Sequence, residues 1–216
     1  MNMRARIVFN GVVTLLALAV VLSASAADKP ENLVQNNDFE DRGVQPWTMW
    51  IEDAAAGVAA NMVPDNDEAV KGRQSLLIDI KNGGKANKRI ELHQRHFILE
   101  KGMELTYAMW AKAEDAREAK MIVNHRQAPW TSYGAKNITI QQEWQEFWTP
   151  VNMTADDNLV GIYVELRDSI EGKVWFDNFR FYEGDYEPDE ELGQENLSVE
   201  AKGKLTTAWG RLKAQN

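Results

Sequence analysis

The sequence predicts an all-β fold, an antiparallel β-sandwich of the jelly-roll type. Short segments rich in β-branched and aromatic residues recur at near-regular intervals between Gln74 and Glu183. No stretch between them shows the apolar spacing of an amphipathic helix. Turn-forming residues separate them, as in the Gly- and Asn-rich stretch Lys81 to Lys88. Strands joined by short turns, with no helices to cover a sheet, favour two sheets packed face to face.

Strand composition gives the expected order of elements along the chain. The opening segment, Asn32 to Trp47, is predicted to be a strand, Ala54 to Ala60 to be extended or irregular, and Pro64 to Glu68 to be a polar loop. The remaining strands are predicted at Gln74 to Ile80, Ile90 to Leu99, Glu104 to Lys112, Ala119 to Gln127, Glu146 to Met153, Leu159 to Arg167 and Val174 to Glu183.

The last of these strands, VWFDNFRFYE, places one carboxylate among aromatic residues. Strict alternation would put Trp175, Asp177, Phe179 and Phe181 on one face. A buried, ionised Asp is costly unless it is paired, hydrogen-bonded or bound to a metal. Asp177 is therefore predicted to have a partner elsewhere in the chain, either a cation ligated with the help of the opening segment or a salt bridge to Arg or Lys.

The N-terminus resembles a secretory signal. Arg4 and Arg6 precede an apolar run from Val12 to Leu22, and small residues follow at the spacing that a signal peptidase accepts. Residues 1–26 are predicted to be removed, which gives a secreted or periplasmic location without a membrane in the mature form. An uncleaved membrane anchor is the alternative, although the run is short for a bilayer span.

Composition excludes several partners and sources of stability. The 216 residues carry a net charge of −9, which argues against nucleic acid or anionic lipid as the partner. No Cys is present, so neither disulfides nor lipoprotein attachment can stabilise or anchor the chain. A structural calcium ion is the expected substitute, because calcium is abundant outside cells.

Three units follow the predicted signal. Residues 27–184 form the expected sandwich, and residues 185–196 form an acidic linker that should stay solvated. In the tail, 197–216, the apolar residues Leu205, Trp209 and Leu212 are spaced as in an amphipathic segment that could dock on a protein partner. Gly210 weakens such a helix, so a flexible tail is favoured.

Several motifs together resemble the carbohydrate-binding modules of the family 4/9 type, over roughly residues 31 to 184. The resemblance is carried by an opening pattern, two middle segments and a closing Asp-Asn pattern, matched here by Asn32, Leu33, Val34, Asn36, Phe39, Glu40, Gly43 and Trp47, by Gly72, Ser75 and Leu76, by Leu99, Gly102, Tyr107, Trp110, Lys112 and Ala113, and by Trp175, Phe176, Asp177, Asn178 and Phe179. Asn37 stands where the family usually has Gly.

The resemblance implies a galactose-binding-like sandwich that is a non-catalytic module. Its expected ligand is a polysaccharide or oligosaccharide, held on a concave sheet face by aromatic stacking and hydrogen bonds. A structural calcium ion would be ligated by Glu40 and Asp177, with Asp38 a weaker candidate. Gln94 is a candidate sugar hydrogen-bonder by analogy with the family.

Strand parity supplies candidate sugar-binding residues. Opposite the apolar rows of their strands lie Trp110, the pair Asn124 and Arg126, and a third row of Tyr163, Glu165 and Arg167. If the three rows share one sheet face, they line a groove. Cross-strand charge pairing of Glu165 with an Arg on a solvated face is the alternative.

Aromatic residues outside the strands add further candidates. Trp130 and Tyr133 lie in the polar segment Gln127 to Lys136, where exposure for binding is expected unless the loop folds back over the sandwich edge. Trp50 is a weaker platform, whereas Trp47 and Trp175 are predicted to pack in the core.

Two other functions stay open at this point. A structural or adhesive sandwich could bind a protein partner through its face. A small jelly-roll glycosidase or lyase could use Glu165, Asp168 and His125, although no motif supports it.

Overall fold

The fold is a sandwich of two antiparallel five-stranded sheets, which confirms the predicted class. A computed structural model describes residues 29–41, 43–84, 89–167 and 170–189. The predicted signal (1–26), most of the linker (190–196), the tail (197–216) and Asp168 lie outside the described residues. Within those residues, no helix has both the length and the apolar character needed to cross a membrane.

The described residues form strands and a single short 3-10 helix at Ala54–Ala56. The strands in chain order are β1 (Thr48–Ile51), β2 (Ala59–Asp65), β3 (Ser75–Asn82), β4 (Ile90–Leu99), β5 (Glu104–Ala113), β6 (Arg117–His125), β7 (Ser132–Ile140), β8 (Gln145–Asn152), β9 (Asp157–Leu166) and β10 (Gly172–Glu183).

The chain crosses repeatedly between the two layers. The first sheet has the order β1-β4-β9-β6-β7, and the second has the order β2-β3-β10-β5-β8. Alternation along the central strands fills the space between the sheets, as with Leu105, Tyr107 and Met109 of β5. The other residues of these strands form the outer faces of the sandwich. The candidate sites lie on those outer faces.

Strict alternation is wrong for β10, because the strand contains a bulge. Its register with β5 shifts between Asp177 and Arg180, and Asn178 has a left-handed φ of 45°. The extra residue turns Phe179 and Phe181 to the same inner face as Val174 and Phe176. These four side chains of β10 therefore enter the core, whereas Trp175 and Tyr182 lie outside the core cluster.

The opening segment is not a strand. Residues 31–47 form turns and bends that pack on the end of β10. Its Phe39 and Trp47 are fully buried, with their ring centroids 6.0 Å and 4.2 Å from that of Phe179. The Asn32 amide holds this segment in place, because its Nδ2 donates to Phe179 O and its Oδ1 accepts from Phe181 N.

The strands that the sequence did not predict are β1, β2 and β7, and all three lie at sheet edges. Edge strands have few inward apolar residues, so their alternation is weak. In β2 only Ala60, Met62 and Asp65 are even partly buried, and Pro64 is tolerated there because one side of an edge strand needs no ladder bond.

Residues 185–189 contact the outer face of the second sheet. Tyr186 stacks on Trp148 with ring centroids 4.4 Å apart and donates a hydrogen bond to Glu146 Oε2. Asn178 Nδ2 donates to Asp189 Oδ2 over 2.7 Å. Tyr186 and Asp189 are therefore partly buried against the sandwich, whereas Asp185, Glu187 and Pro188 are exposed as expected of a solvated linker, and contacts with the sandwich continue beyond the predicted boundary at 184.

Candidate functional site

A cavity of about 620 Å³ opens on the outer face of the first sheet. We call it the Trp50–Trp130 cavity, after the exposed aromatic residues that belong to it. The strands β1, β4, β9 and β6 and the turns next to them supply its lining, which consists of Trp50, Arg89, Glu91, Arg95, Asn124, Arg126, Trp130 and Tyr163.

The two Trp side chains come from opposite sides of the sheet. Trp50 lies in the edge strand β1 and is 40% exposed, while Trp130 follows β6 and is 56% exposed. Trp130 closes the turn after β6, where its N–H donates to Gln127 O and its φ is 61°. Because β4 and β9 lie between β1 and β6, the two rings stand on either side of a polar floor.

Arg126 crosses that floor. Its guanidinium carbon lies 4.5 Å from the ring centroid of Tyr163, and its Nη2 is 3.2 Å from Glu91 Oε2. A Cβ built on Gly161 would lie 2.7 Å and 2.8 Å from Arg126 Cγ and Cδ. The absence of a side chain at Gly161 therefore provides the path by which the Arg126 stem crosses β9 to reach β4.

A second Arg lies behind Trp50. The guanidinium carbon of Arg89 is 5.3 Å from the ring centroid of Trp50, and its Nε is 3.1 Å from Glu52 Oε2. Its Nη1 lies 3.6 Å from Glu91 and 3.7 Å from Glu165. The hydrogen bond with Glu52 raises the pKa of Arg89 against the effect of burial, so the guanidinium is held by carboxylates beneath the cavity.

The structure gathers part of the predicted sugar-binding set. Trp50, Asn124, Arg126, Trp130 and Tyr163 all line the Trp50–Trp130 cavity. Glu165 and Arg167 lie on the same outer face but in a separate cavity of about 290 Å³. Glu165 is only 1% exposed and is ion-paired with both Arg167 and Arg89.

Trp110 does not belong to this groove, because β5 lies in the second sheet. The expectation that the rows of β5, β6 and β9 share one face is therefore wrong. Parity along β5 is as predicted, but Trp110 is only 6% exposed and sits in register between Asp177 of β10 and Glu146 of β8. It offers no open platform.

Tyr133 and Gln94 are also placed outside the cavity. Tyr133 is the second residue of β7 and packs in the core, where its hydroxyl donates to Asp157 Oδ2 over 2.8 Å. The amide of Gln94 is used by the opening segment: Oε1 accepts from Gln35 N, and Nε2 donates to Gln35 O. Neither side chain faces the Trp50–Trp130 cavity.

Sequence reasoning missed Arg89, Glu91 and Arg95. The signal was present in β4, where Ile90 and Leu92 alternate with polar residues. Its outward row lies beside that of β9, because Glu91 pairs with Glu165 and His93 with Tyr163. The predicted binding residues come from the outward rows of β5, β6 and β9, and the outward row of β4 is not among them.

The candidate catalytic residues of the alternative glycosidase or lyase function lie apart from one another. Glu165 belongs to the smaller cavity described above, whereas His125 borders a different one at the end of β6. His125 Nδ1 lies 2.9 Å from both carboxylate oxygens of Asp157. Asp168 lies outside the described residues.

The candidate calcium ligands Asp177 and Glu40 accept hydrogen bonds from backbone N–H groups. Asp177 is fully buried, and its oxygens accept hydrogen bonds from Val70 N, Lys71 N and Asn178 N over 2.9, 3.1 and 2.7 Å. Burial raises the pKa of Asp177 to about 7, against the lowering effect of these backbone donors. Among the described residues Asp177 has no ion pair, so the salt-bridge alternative does not hold there.

Glu40 binds the same loop. Its Oε1 accepts from the backbone N–H groups of Arg73 and Gln74, and a Cβ at Gly72 would lie 2.4 Å from that oxygen. Among the described residues, Asp38 Oδ1 accepts from Glu40 N over 3.4 Å. In the described part of the chain no three acidic or His side chains cluster as metal ligands usually do. Lone pairs remain on both carboxylates, so backbone carbonyls would have to complete a calcium shell.

Replacing Gly161 by Ala tests the path of Arg126. The added methyl group must displace the Arg126 stem, and we expect a loss of about 1–3 kcal/mol in the free energy of unfolding. In an Arg126→Ala background the same change should cost much less, since the clashing atoms are gone. Chemical denaturation of the four proteins in this double-mutant cycle measures the difference. An equal cost in both backgrounds would contradict the described path.

His93 predicts a pH dependence of stability. Burial, and then Arg95 and Arg126, lower the pKa of His93 to about 4. The neutral imidazole is thus favoured in the folded state, so its contribution is complete above pH 6.5 and is lost as the pH falls toward 4. We expect up to about 3 kcal/mol of lost stability across this window, reduced in His93→Gln.

The exposed His96 provides the control for this experiment, because its imidazole is solvated in both the folded and unfolded states. Its φ is 72°, and Asn tolerates that conformation well, so His96→Asn is the suitable variant. The pH profile of His96→Asn should match that of the wild type. An unchanged profile in His93→Gln would refute the assignment.

Comparisons with known proteins place this geometry in a family. No curated protein matches the chain. Solved structures match it as a fold. One described as "CBM4 structure and function" is 22% identical with a TM-score of 0.58, covering 69% of this chain and 99% of the other.

Two further structures match at 16% identity. A CBM61 module in complex with β-1,4-galactotriose has a TM-score of 0.52, with 71% of this chain and 99% of the other covered. The CBM22-1 xylan-binding domain of Xyn10C from Paenibacillus barcinonensis has a TM-score of 0.53, with 75% and 100% covered. The family model described as a carbohydrate binding domain matches residues 31–170. Since this is more than half of the chain, the protein belongs to the CBM 4/9 family of carbohydrate-binding domains.

Proposed function

We propose that this protein is a non-catalytic module that holds a polysaccharide or oligosaccharide chain in the Trp50–Trp130 cavity. The observation that carries the proposal is a pair of exposed Trp rings on either side of a polar-lined cavity. Such a combination of aromatic surface and a few placed polar groups is typical of ligand sites.

The chemistry of a sugar fits this lining. A sugar ring exposes C–H groups on its faces and hydroxyl groups at its rim, so flat aromatic rings and planar polar side chains recognise it together. Trp50 and Trp130 supply the aromatic surface. Asn124 and the planar guanidinium of Arg126 can hydrogen-bond hydroxyl groups between them.

The comparisons support a glycan over a protein partner. Family membership covers residues 31–170, which include every residue lining the cavity. The CBM61 structure contains β-1,4-galactotriose, and the CBM22-1 domain is described as xylan-binding. We extend the class of ligand to this chain and leave the individual sugar and linkage to experiment. A secreted or periplasmic location, with residues 1–26 as the signal, is part of the proposal.

Removal of either Trp ring should weaken glycan binding. We expect Trp50→Ala and Trp130→Ala each to reduce affinity roughly tenfold, because an aromatic anchor at a binding site contributes more than about 1 kcal/mol. Binding is measured by affinity electrophoresis and calorimetry against soluble β-glucan, xylan, mannan and galactan.

Trp148→Ala is the matched control, because Trp148 is a partly exposed Trp on the outer face of the second sheet. Its removal should leave glycan affinity unchanged. If Trp148→Ala weakens binding while both cavity variants bind normally, the glycan site lies on the second sheet and not in the Trp50–Trp130 cavity. If no glycan is retained by the folded wild type, the binding proposal fails.

We also propose that calcium binds near Asp177 and stabilises the fold. A bound ion stabilises the native state by about 2.7 kcal/mol at one hundred times its dissociation constant. Calcium should therefore raise the melting temperature of the wild type, EDTA should reverse the effect, and Asp177→Asn should respond to neither.

Asp79→Asn is the control for charge removal, since Asp79 pairs with Lys81 on β3. Its response to calcium should equal that of the wild type. A wild-type melting temperature that is the same in calcium and in EDTA would refute this part of the proposal.

A further inference from the structure

The Trp50–Trp130 cavity is positively charged, in contrast to the protein as a whole. Arg89, Arg95 and Arg126 line it together with Glu91. Glu52 and Glu165 also pair with Arg89, which leaves Arg95 as the lining cation without a carboxylate partner among the described residues. The chain has a net charge of −9. A local excess of cations in an acidic protein indicates a site for a ligand that carries negative charge.

The three Arg residues are not equivalent. Arg89 and Arg126 are held by carboxylates of the protein, at 3.1 Å from Glu52 and 3.2 Å from Glu91 respectively. Arg95 is exposed, and no hydrogen bond or ion pair within 4 Å joins its side chain to another described residue. It is therefore the guanidinium that remains available to a ligand.

Arg95 and Arg126 approach the same point of the sheet. In register, Gly161 of β9 pairs with Arg95 of β4 on one side and with Asn124 of β6 on the other. The Arg126 stem lies over this Gly161. At this position β9 contributes no side chain and the Arg126 stem covers the strand, so the cavity above it is lined by the two Arg side chains and by Asn124.

The electrostatics agree with this convergence. Burial, and then Arg126, lower the pKa of Arg95, while Glu91 raises it. His93, on the same strand, is kept neutral beside both guanidinium groups. No carboxylate within 4 Å offsets the charge of Arg95 in the described structure, so an anion placed between Arg95 and Arg126 would relieve their repulsion.

An unused polar atom lies beside this space. Asn124 is 5% exposed and lines the cavity, and its side-chain Oδ1 has no hydrogen-bond partner among the described residues. A buried amide without a partner is costly, and a sugar hydroxyl group can donate to it. An anionic substituent and a hydroxyl on the same ring would satisfy both sides.

We propose that the cavity selects acidic glycans, with a carboxylate of a uronic acid or a sulfate ester held between Arg95 and Arg126. This rests on the proposed function, whose Trp platforms would stack the neighbouring rings. Guanidinium groups bind carboxylate and sulfate-like oxygens in a planar, bidentate manner. A neutral hydroxyl group could accept a hydrogen bond there but would leave Arg95 without a counter-charge.

The test compares polymers that differ in charge but not in backbone. The full chain is titrated with polygalacturonate and with the same polymer after carboxyl reduction, and with κ-carrageenan and with the same polymer after desulfation. We expect the charged polymer of at least one pair to bind about tenfold more tightly, since hydrogen bonds to charged groups are stronger than neutral ones. Salt should reduce this difference and leave the neutral affinity unchanged.

Arg95→Gln locates the effect. It should remove most of the preference for the charged polymer while the affinity for the uncharged one persists. Its fold should survive, because the Arg95 side chain makes no hydrogen bond or ion pair with another described residue. Lys81→Gln removes the same charge from β3 of the second sheet and should change nothing.

Each outcome decides one point. Preference for polygalacturonate alone assigns a uronic acid, and preference for carrageenan alone assigns a sulfate ester. Equal binding of charged and uncharged polymers overturns this inference and leaves the proposed function standing, as does a preference that survives in Arg95→Gln. If the folded protein binds none of the four polymers and none of the neutral glycans tested above, both this inference and the proposed function are overturned.

Discussion

The bulge in β10 is the constraint on which the packing of this sandwich depends. It lets Phe176 and Phe179 enter the core although they are three residues apart, and it exposes backbone groups that the opening segment uses, as in the bond from Phe179 N to Asn37 O. The buried carboxylate of Asp177 sits at this irregularity and accepts backbone N–H groups from the loop before β3. The bulge thereby links the opening segment and the loop before β3 to β10 and to the core beneath it.

On the opposite layer the cavity depends on a different local feature, the missing side chain at Gly161. Because Arg126 can cross β9 there, it reaches Glu91 and covers Tyr163. Carboxylates thus fix Arg89 and Arg126 in the floor of the cavity, whereas Arg95 has no carboxylate partner among the described residues. Aromatic platforms on a rigid polar floor are suited to a ligand that is flat, hydroxylated and held at several points. Recognition in this site therefore combines stacking at the sides with electrostatics in the middle.

The central strands were predictable because each is covered on its inner face by the other sheet, which imposes alternation of apolar and polar residues. The bounds of β4 coincide with the predicted ones, Ile90–Leu99, and inward residues such as Met109 and Ile162 follow from parity. Three of the four edge strands, β1, β2 and β7, were missed. An edge strand has a neighbouring strand on one side only, so its side chains are less completely covered and its apolar pattern is weaker. Tyr133 was misplaced for this reason, since a loop was expected where β7 begins.

The fold class, the strand parity and the residues of the family motif follow from the amino-acid sequence alone, because these depend on local composition and on burial of alternate side chains. It also identified Trp50, Asn124, Arg126, Trp130 and Tyr163 as candidates before their neighbours were known. The sheet to which each strand belongs is visible only in the folded chain. There Trp110 lies on the layer opposite Tyr163. Sheet order is set by pairing between segments far apart in the chain, and no local pattern of residues records it. The convergence of Arg95, Gly161 and Arg126 is a product of that pairing.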